Sequence, residues 1–227
     1  KMFVADPNWL KISMYRELSE PLSNPARLPK VGKRLELFDK YFQYSHLLCE
    51  PDKYKNEVNT HLLPVLKHVA SYIKKHKLIN YGATAYNFFV KSNKNIGNVN
   101  VSDYMAYSTE PEEHIDRLLN ELKRKFPDFT FAKHTNIQYW KEVDVENHFI
   151  NVSNGSLRYN CIVQFTRNQS CMPYIQYNGV RYVTIDRLKY IYFRSLSLRE
   201  VSEAVEEHPQ NYGCLISNIL KEEKRYK

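Results

Sequence analysis

Apolar residues recur at every third or fourth position through Val58, Leu62, Val65, Leu66, Val69, Tyr72 and Ile73, the clearest helical stripe in the chain. Lys74-Lys75-His76-Lys77 follows it, where positive charge suits a helix C-terminus. A second stripe, Ile115, Leu118, Leu119 and Leu122, runs on from Pro111, a residue suited to a first helical turn. Shorter helical patterns cover Leu10, Met14 and Leu18 after Asp6-Pro7, Leu35 and Phe38 within 31–41, and 84–90; two more close the chain at 185–196 and 212–224. Elsewhere the period falls to two. Val99, Val101, Asp103, Met105 and Tyr107 alternate as a strand, and further strands fall at 78–81, 129–133, 148–152, 157–165 and 174–177. Asn154-Gly155 and Asn178-Gly179 read as hairpin turns.

This order predicts an α+β fold, a small mixed or antiparallel sheet flanked by helices. Pro21, Pro25 and Pro29 punctuate a loop between the first two helices, and residues 45–56, with Pro51, read as a linker. The segments LKISMYRELS at 10–19 and LKYIYFRSLS at 188–197 share Leu, Lys, Arg, Leu and Ser in the same places. Each follows a short β-like run, FVA in one case and YVT in the other, which favours a tandem duplication. Residues 1–44 then form the helical tail of an upstream unit, 45–56 a linker, and 57–227 a second unit. The chain opens inside a helical pattern, so it is expected to be a segment of a longer polypeptide.

Composition narrows the function classes. With 43% hydrophobic and 14% aromatic residues in 227, and only six glycines, the chain can bury a substantial core and is not a disordered one. The net charge of +8 is uneven: residues 1–78 hold 14 Lys and Arg against 8 Asp and Glu, and residues 79–227 hold 19 against 17. A basic surface attracts polyanions such as RNA, DNA or anionic membranes. Lys74, Lys75, Lys77, Lys91, Lys94, Lys123, Arg124 and Lys125 are candidates for a track on the RNA backbone, with Tyr139, Trp140 and Tyr159 as candidates for stacking on bases. The four cysteines include no CxxC pair, which excludes the usual zinc spacing; Cys161 and Cys171 read as buried, unreactive thiols. His61 and His68 read as packed or surface residues. No apolar run approaches the ~20 residues of a membrane helix, and the expectation is a soluble intracellular protein with no membrane partner.

Residues 81–87 (YGATAYN) and 101–108 (VSDYMAYS) carry the candidate chemistry. Together they read as a nucleotidyltransferase signature. In such enzymes a strand leads into a paired-glycine turn at a helix N-terminus, whose N–H groups receive phosphates. Gly82-Ala83-Thr84 has that shape, although a plain tight turn explains it as well. A neighbouring Asp-x-Asp strand aims two carboxylates at one place, to hold two magnesium ions about 3.5–4 Å apart. Asp103 is present, but its partner position is Met105, whose thioether is no ligand for a hard cation. The stretch 161–169, where a third acid should stand, has none. Asp144 and Glu146 lie two apart in a polar, loop-like segment.

The segments WLKISMYRELS, KVGKRLELFDKYF, YGATAYN, SDYMAYS and YVTIDRLKYIYFRSLS together resemble the poly(A) polymerase catalytic subunits of large cytoplasmic DNA viruses, the mimivirus-like and asfarvirus-like group. The resemblance implies a nucleotidyltransferase-like domain preceded by two helices of an upstream catalytic unit. It matches Gly82 and Ala83 to the family's glycine turn, Asp103 to its first carboxylate and Met105 to the place of its second. It also implies a parent enzyme that adds AMP from ATP to mRNA 3′ ends with Mg2+ or Mn2+, in the host cytoplasm or the virion. This segment is then expected to be non-catalytic and to carry no cofactor. Its implied partners are RNA, the catalytic unit of the same polypeptide and a second copy in a homodimer. Two rivals are an active standalone nucleotidyltransferase and an RNA-binding or protein-interaction module without transferase activity.

Overall fold

The computed structural model describes residues 25–42, 60–92, 98–140, 143–154, 157–168 and 171–198, with further helical positions among residues 7–17 and 215–222. Of 39, 137–140, 143–145, 157–159 and 193–198 only the backbone is described. The expected linker at 45–56 and the FVA run lie outside the described residues. By its contacts the chain divides into two compact units, residues 51–184 and residues 1–50 with 185–227.

The larger unit contains a seven-stranded mixed sheet. Its elements are α2 (Leu63–Lys75), β1 (Ile79–Tyr81), α3 (Ala83–Val90), β2 (Tyr104–Ser108), α4 (Pro111–Lys125), β3 (Thr130–Trp140), β4 (Val143–Asn154), β5 (Leu157–Arg167), β6 (Tyr174–Tyr177) and β7 (Val180–Val183), following α1 (Leu28–Tyr41) of the other unit. The strand order is β3-β4-β5-β2-β1-β7-β6. Most neighbours are antiparallel; β2 runs parallel to β5 and β1 parallel to β7.

The two strongest helical stripes build the core. Val65, Leu66, Val69, Tyr72 and Ile73 of α2 and Ile115, Leu118 and Leu122 of α4 pack with Ala106, Ile150, Val152, Val163 and Phe165 of the sheet. Each fully buried Val, Leu, Ile or Phe among them contributes roughly 1.5–3 kcal/mol. The β4–β5 register slips between Ile150 and Asn151, and Ile162 and Val163 are consecutive yet both wholly buried. Helix α2 stops where Lys77 turns left-handed at φ 55°, with Leu78 N–H donating to Ile73 O at 3.1 Å.

Several boundaries differ from the sequence pattern. Strand β2 begins only at Tyr104, and Asp103 sits in a bend before it. The polar segment with Asp144 and Glu146 is strand rather than loop, because β3 and β4 pair through to Trp140 and Val143. Asn154 is not a turn residue; it pairs with Leu157.

In the other unit, α1 starts with Pro29 in its first turn and buries Val31 and Leu35, and α5 (Ile185–Leu198) buries Leu188 and Tyr192. Lys11 is fully buried there and donates to the carbonyl of Phe42. The described positions between 215 and 222 are helical, with Ile216 and Ile219 buried. No described helix is long and apolar enough to cross a membrane.

Candidate functional site

Strand β1 leads through Gly82 into α3, and β2 runs antiparallel beside it with Tyr81 opposite Met105. Gly82 has φ 66° and ψ −144°, a conformation that side chains resist. A Cβ placed on it would lie 2.9 Å from Met105 Sδ. The glycine is therefore demanded by the backbone and by the methionine across it. The thioether fills the ground between turn and strand.

Register partners share a face of the sheet, which puts Tyr81, Met105 and Gln164 in one row and Tyr107, Thr166 and Asn147 in the next. The face opposite the core therefore carries a neutral polar web. Tyr81 Oη and Thr166 Oγ1 are 2.7 Å apart, Gln164 Nε2 donates to Tyr81 Oη at 2.8 Å and to Asn147 Oδ1 at 3.0 Å, and Thr166 Oγ1 donates to Asn147 Oδ1 at 2.7 Å. Gln164 and Thr166 stand on β5, the strand where the third acid was sought. Burial above all, with the neighbouring Tyr107, pushes the Tyr81 phenol well above its ordinary value, so the web stays uncharged. Sequence reasoning missed it, although the alternation of β1, β2 and β5 carried the signal.

Asp103 is half-buried and accepts from Ser102 Oγ at 3.2 Å. It lies near enough to Cys161 to add to the effect of burial, which pushes that thiol up to about 12. Cys161 is half-buried and unreactive at neutral pH, but Cys171 is exposed, against expectation. Asn87, which ends YGATAYN, grips the chain ahead of Asp103: its Nδ2 donates to Val99 O and its Oδ1 accepts from Val99 N–H, both at 2.8 Å. Thr84 Oγ1, in the first turn of α3, is buried without a hydrogen-bond partner.

The donor set does not fit two divalent cations. Near Asp103 stand the Ser102 hydroxyl, the Cys161 thiol and the Tyr81 phenol, with the Met105 thioether two residues along, and among the described residues no group of three or more His, Cys, Asp or Glu side chains is placed to hold a metal ion. Glu146 is committed elsewhere. It pairs with Arg167 and sits 2.6 Å from His148 Nε2; the Arg167 hydrogen bond, helped by His148, holds its carboxyl at about 2.

The basic candidates separate into two groups. His68 meets Glu121 at 3.0 Å and Lys125 at 3.2 Å, while Tyr72 and His76 meet His114, so α2 and α4 run antiparallel. Lys123, Arg124 and Lys125 therefore sit at the opposite end of that helix pair from Lys74, Lys75 and Lys77. Lys91 joins the latter group through the β6–β7 hairpin: its Nζ is 3.6 Å from the Tyr177 ring centre, and Lys74 lies across Gly179 of the turn. Lys94 lies outside the described residues, as do the side chains of Tyr139, Trp140, Asp144 and Tyr159. His61 is exposed, and His68 is half-buried.

No family model and no curated protein matches the chain. Among solved structures it is similar to the crystal structure of the Megavirus polyadenylate synthase, with TM-score 0.65 and 18% identity. The likeness covers 100% of this chain and 47% of that one. The chain thus shares its fold with part of that structure and spans about half its length.

Proposed function

We propose that this chain is a nucleotidyltransferase-like unit that transfers nothing itself and forms the non-catalytic part of a viral-type poly(A) polymerase. The observation that carries the reading is Met105 seated against Gly82 beside a neutral web of Tyr81, Gln164, Thr166 and Asn147. Two-metal transfer needs hard oxygen donors converging on one spot. Here the face that would supply them is filled by a soft sulfur and by polar groups already bonded to one another. The fold likeness to a polyadenylate synthase supports the parentage.

In this reading the parent enzyme adds AMP from ATP to mRNA 3′ ends, with Mg2+ or Mn2+ held by a separate catalytic unit. The present unit contributes packing: against that catalytic unit, along an RNA channel, or as a surface between two copies. Its fold persists because the packing is useful after the ligands are gone. The assignment goes from fold to function by analogy, so it stands or falls on assay.

The test is incorporation of labelled ATP into an oligo(A) primer by this polypeptide alone, with Mg2+ or Mn2+. No incorporation is expected, and Asp103→Ala should change nothing. Metal-dependent incorporation that Asp103→Ala abolishes would overturn the reading.

A further inference from the structure

Strand β6 is the outer edge of the sheet, and its two tyrosines are unusually open, Tyr174 at 42% and Tyr177 at 49% of full exposure. They point to opposite faces of the strand, and each carries a cation over its ring. Lys91 Nζ sits 3.6 Å from the Tyr177 centroid and 4.5 Å from that of Phe88, while the Arg181 guanidinium sits 4.5 Å from the Tyr174 centroid. Phe88 stacks flat on Tyr182 at 4.4 Å, which fixes the platform. Asn178 and Gly179, both with positive φ, form the tight turn that brings Arg181 back beside the tyrosines.

The charges here lack a counterpart. Arg117, Lys133, Arg167 and Lys189 each pair with a carboxylate. None of Lys74, Lys75, Lys77, Lys91 and Arg181 pairs with a carboxylate among the described residues; Arg181 instead donates to Lys77 O at 3.2 Å. Cations without a carboxylate partner among the described residues thus flank both faces of the hairpin edge, Lys91 and Lys74 by Tyr177 and the Gly179 turn, Arg181 by Tyr174 and the end of α2. Solvated helix-face lysines need no such rings, and a buried apolar partner would not tolerate so many charges. Phosphates at the spacing of a flexible chain, with bases free to stack, satisfy both features together.

We infer that the β6–β7 edge, with the C-terminal ends of α2 and α3, is a docking surface for single-stranded RNA. The choice of RNA rests on the function proposed above; the surface itself rests on charge and exposure. Phosphates lie on Lys74, Lys77, Lys91 and Arg181, and bases stack on Tyr177 and Tyr174. Sequence reasoning missed Arg181 and both tyrosines, although the Asn178-Gly179 turn sets Arg181 opposite Gln176, on the face that Tyr174 shares.

The experiment is fluorescence anisotropy of the full chain with a labelled 15-nucleotide oligo(A). The logarithm of affinity should fall with the logarithm of salt with a slope of about −3, as for four or five phosphates. Tyr177→Ala and Tyr174→Ala, at exposed positions that should not perturb folding, should each weaken binding about tenfold. Lys91→Ala should weaken it severalfold and Lys91→Arg restore it. Unchanged affinity in both tyrosine variants would overturn the inference. So would equal displacement by heparin, binding of the DNA strand but not the RNA, or loss of binding only on changing Lys123 and Arg124. AMP incorporation by the chain would sink the non-catalytic reading while leaving this surface intact; unaltered binding in the variants with no incorporation would do the reverse.

Discussion

Met105 lies against Gly82 so closely that a methyl group on the glycine would meet its sulfur at 2.9 Å. Gly82→Ala should therefore lose stability for two separable reasons. The φ of 66° with ψ −144° costs an L-residue about 1–3 kcal/mol, and the clash adds to it. Because the obstacle is the movable end of a side chain, the double variant Gly82→Ala/Met105→Ala should relieve the clash but keep the backbone cost. Urea midpoints of the two single variants and the double variant separate the contributions; full recovery in the double variant would show that the backbone imposes no strain.

Met105→Asp restores the spacing of a paired-acid strand without restoring a site. The new carboxylate would share its row with Tyr81 and Gln164 and would stand two residues from Asp103. Titration calorimetry with Mn2+ should detect no stoichiometric binding below millimolar concentration, and the variant should incorporate no AMP. Stability should fall, since a charge replaces a packed thioether beside a neutral web. Tight Mn2+ binding would mean that a further oxygen ligand stands within reach.

How much of this was legible in the sequence depends on what each residue's pattern encodes. Helices α2 and α4 were plain because their apolar stripes bury against one core, and the Asn178-Gly179 turn was plain because both residues take positive φ. The outer reach of β3 and β4 was not, because polar residues hide a strand when their charges are matched by partners distant in sequence. Glu146 looks like a loop acid until Arg167 of the neighbouring strand pairs with it. That Met105 stands where an Asp-x-Asp strand has its second acid was visible from a single letter. The web beside it was not, since Tyr81, Gln164, Thr166 and Asn147 come together only through register across four strands.

The Glu146 pairing makes stability depend on acid. Its carboxyl falls from 4.5 to about 2 on folding, so the pairing stabilises the protein above about pH 4.5 and that contribution is lost as pH drops towards 2. After allowance for partial exposure, its size is about 1–2 kcal/mol. Glu146→Gln should flatten the fall in urea midpoint between pH 4.5 and 2 while lowering the midpoint at pH 7. An unchanged acid limb in that variant would move the dependence to another carboxylate.

Thr84 carries a buried hydroxyl with nothing to bond. An orphan of that kind costs about 1–3 kcal/mol, so Thr84→Val, nearly the same shape, should raise stability. If the hydroxyl instead serves a nucleotide, ATP should raise the melting temperature of the parent protein and not of the variant. The non-catalytic reading expects no ATP-dependent shift in either.

Asn87 stands in for a strand. Its amide makes both hydrogen bonds that a neighbouring backbone would make with Val99, each at 2.8 Å, and so holds the chain four residues ahead of Asp103, in a stretch that is not strand. Asn87→Ala strips partners from one N–H and one carbonyl and should cost about 1–3 kcal/mol. Asn87→Asp keeps the acceptor for Val99 N–H but sets a carboxylate against Val99 O, so it should fall between the two. Hydrogen exchange reads the difference: the Val99 amide should lose protection in the alanine variant and keep most of it in the aspartate. Equal protection in all three proteins would mean that the segment is held by other contacts, and the approach to Asp103 would then be fixed by β2 alone.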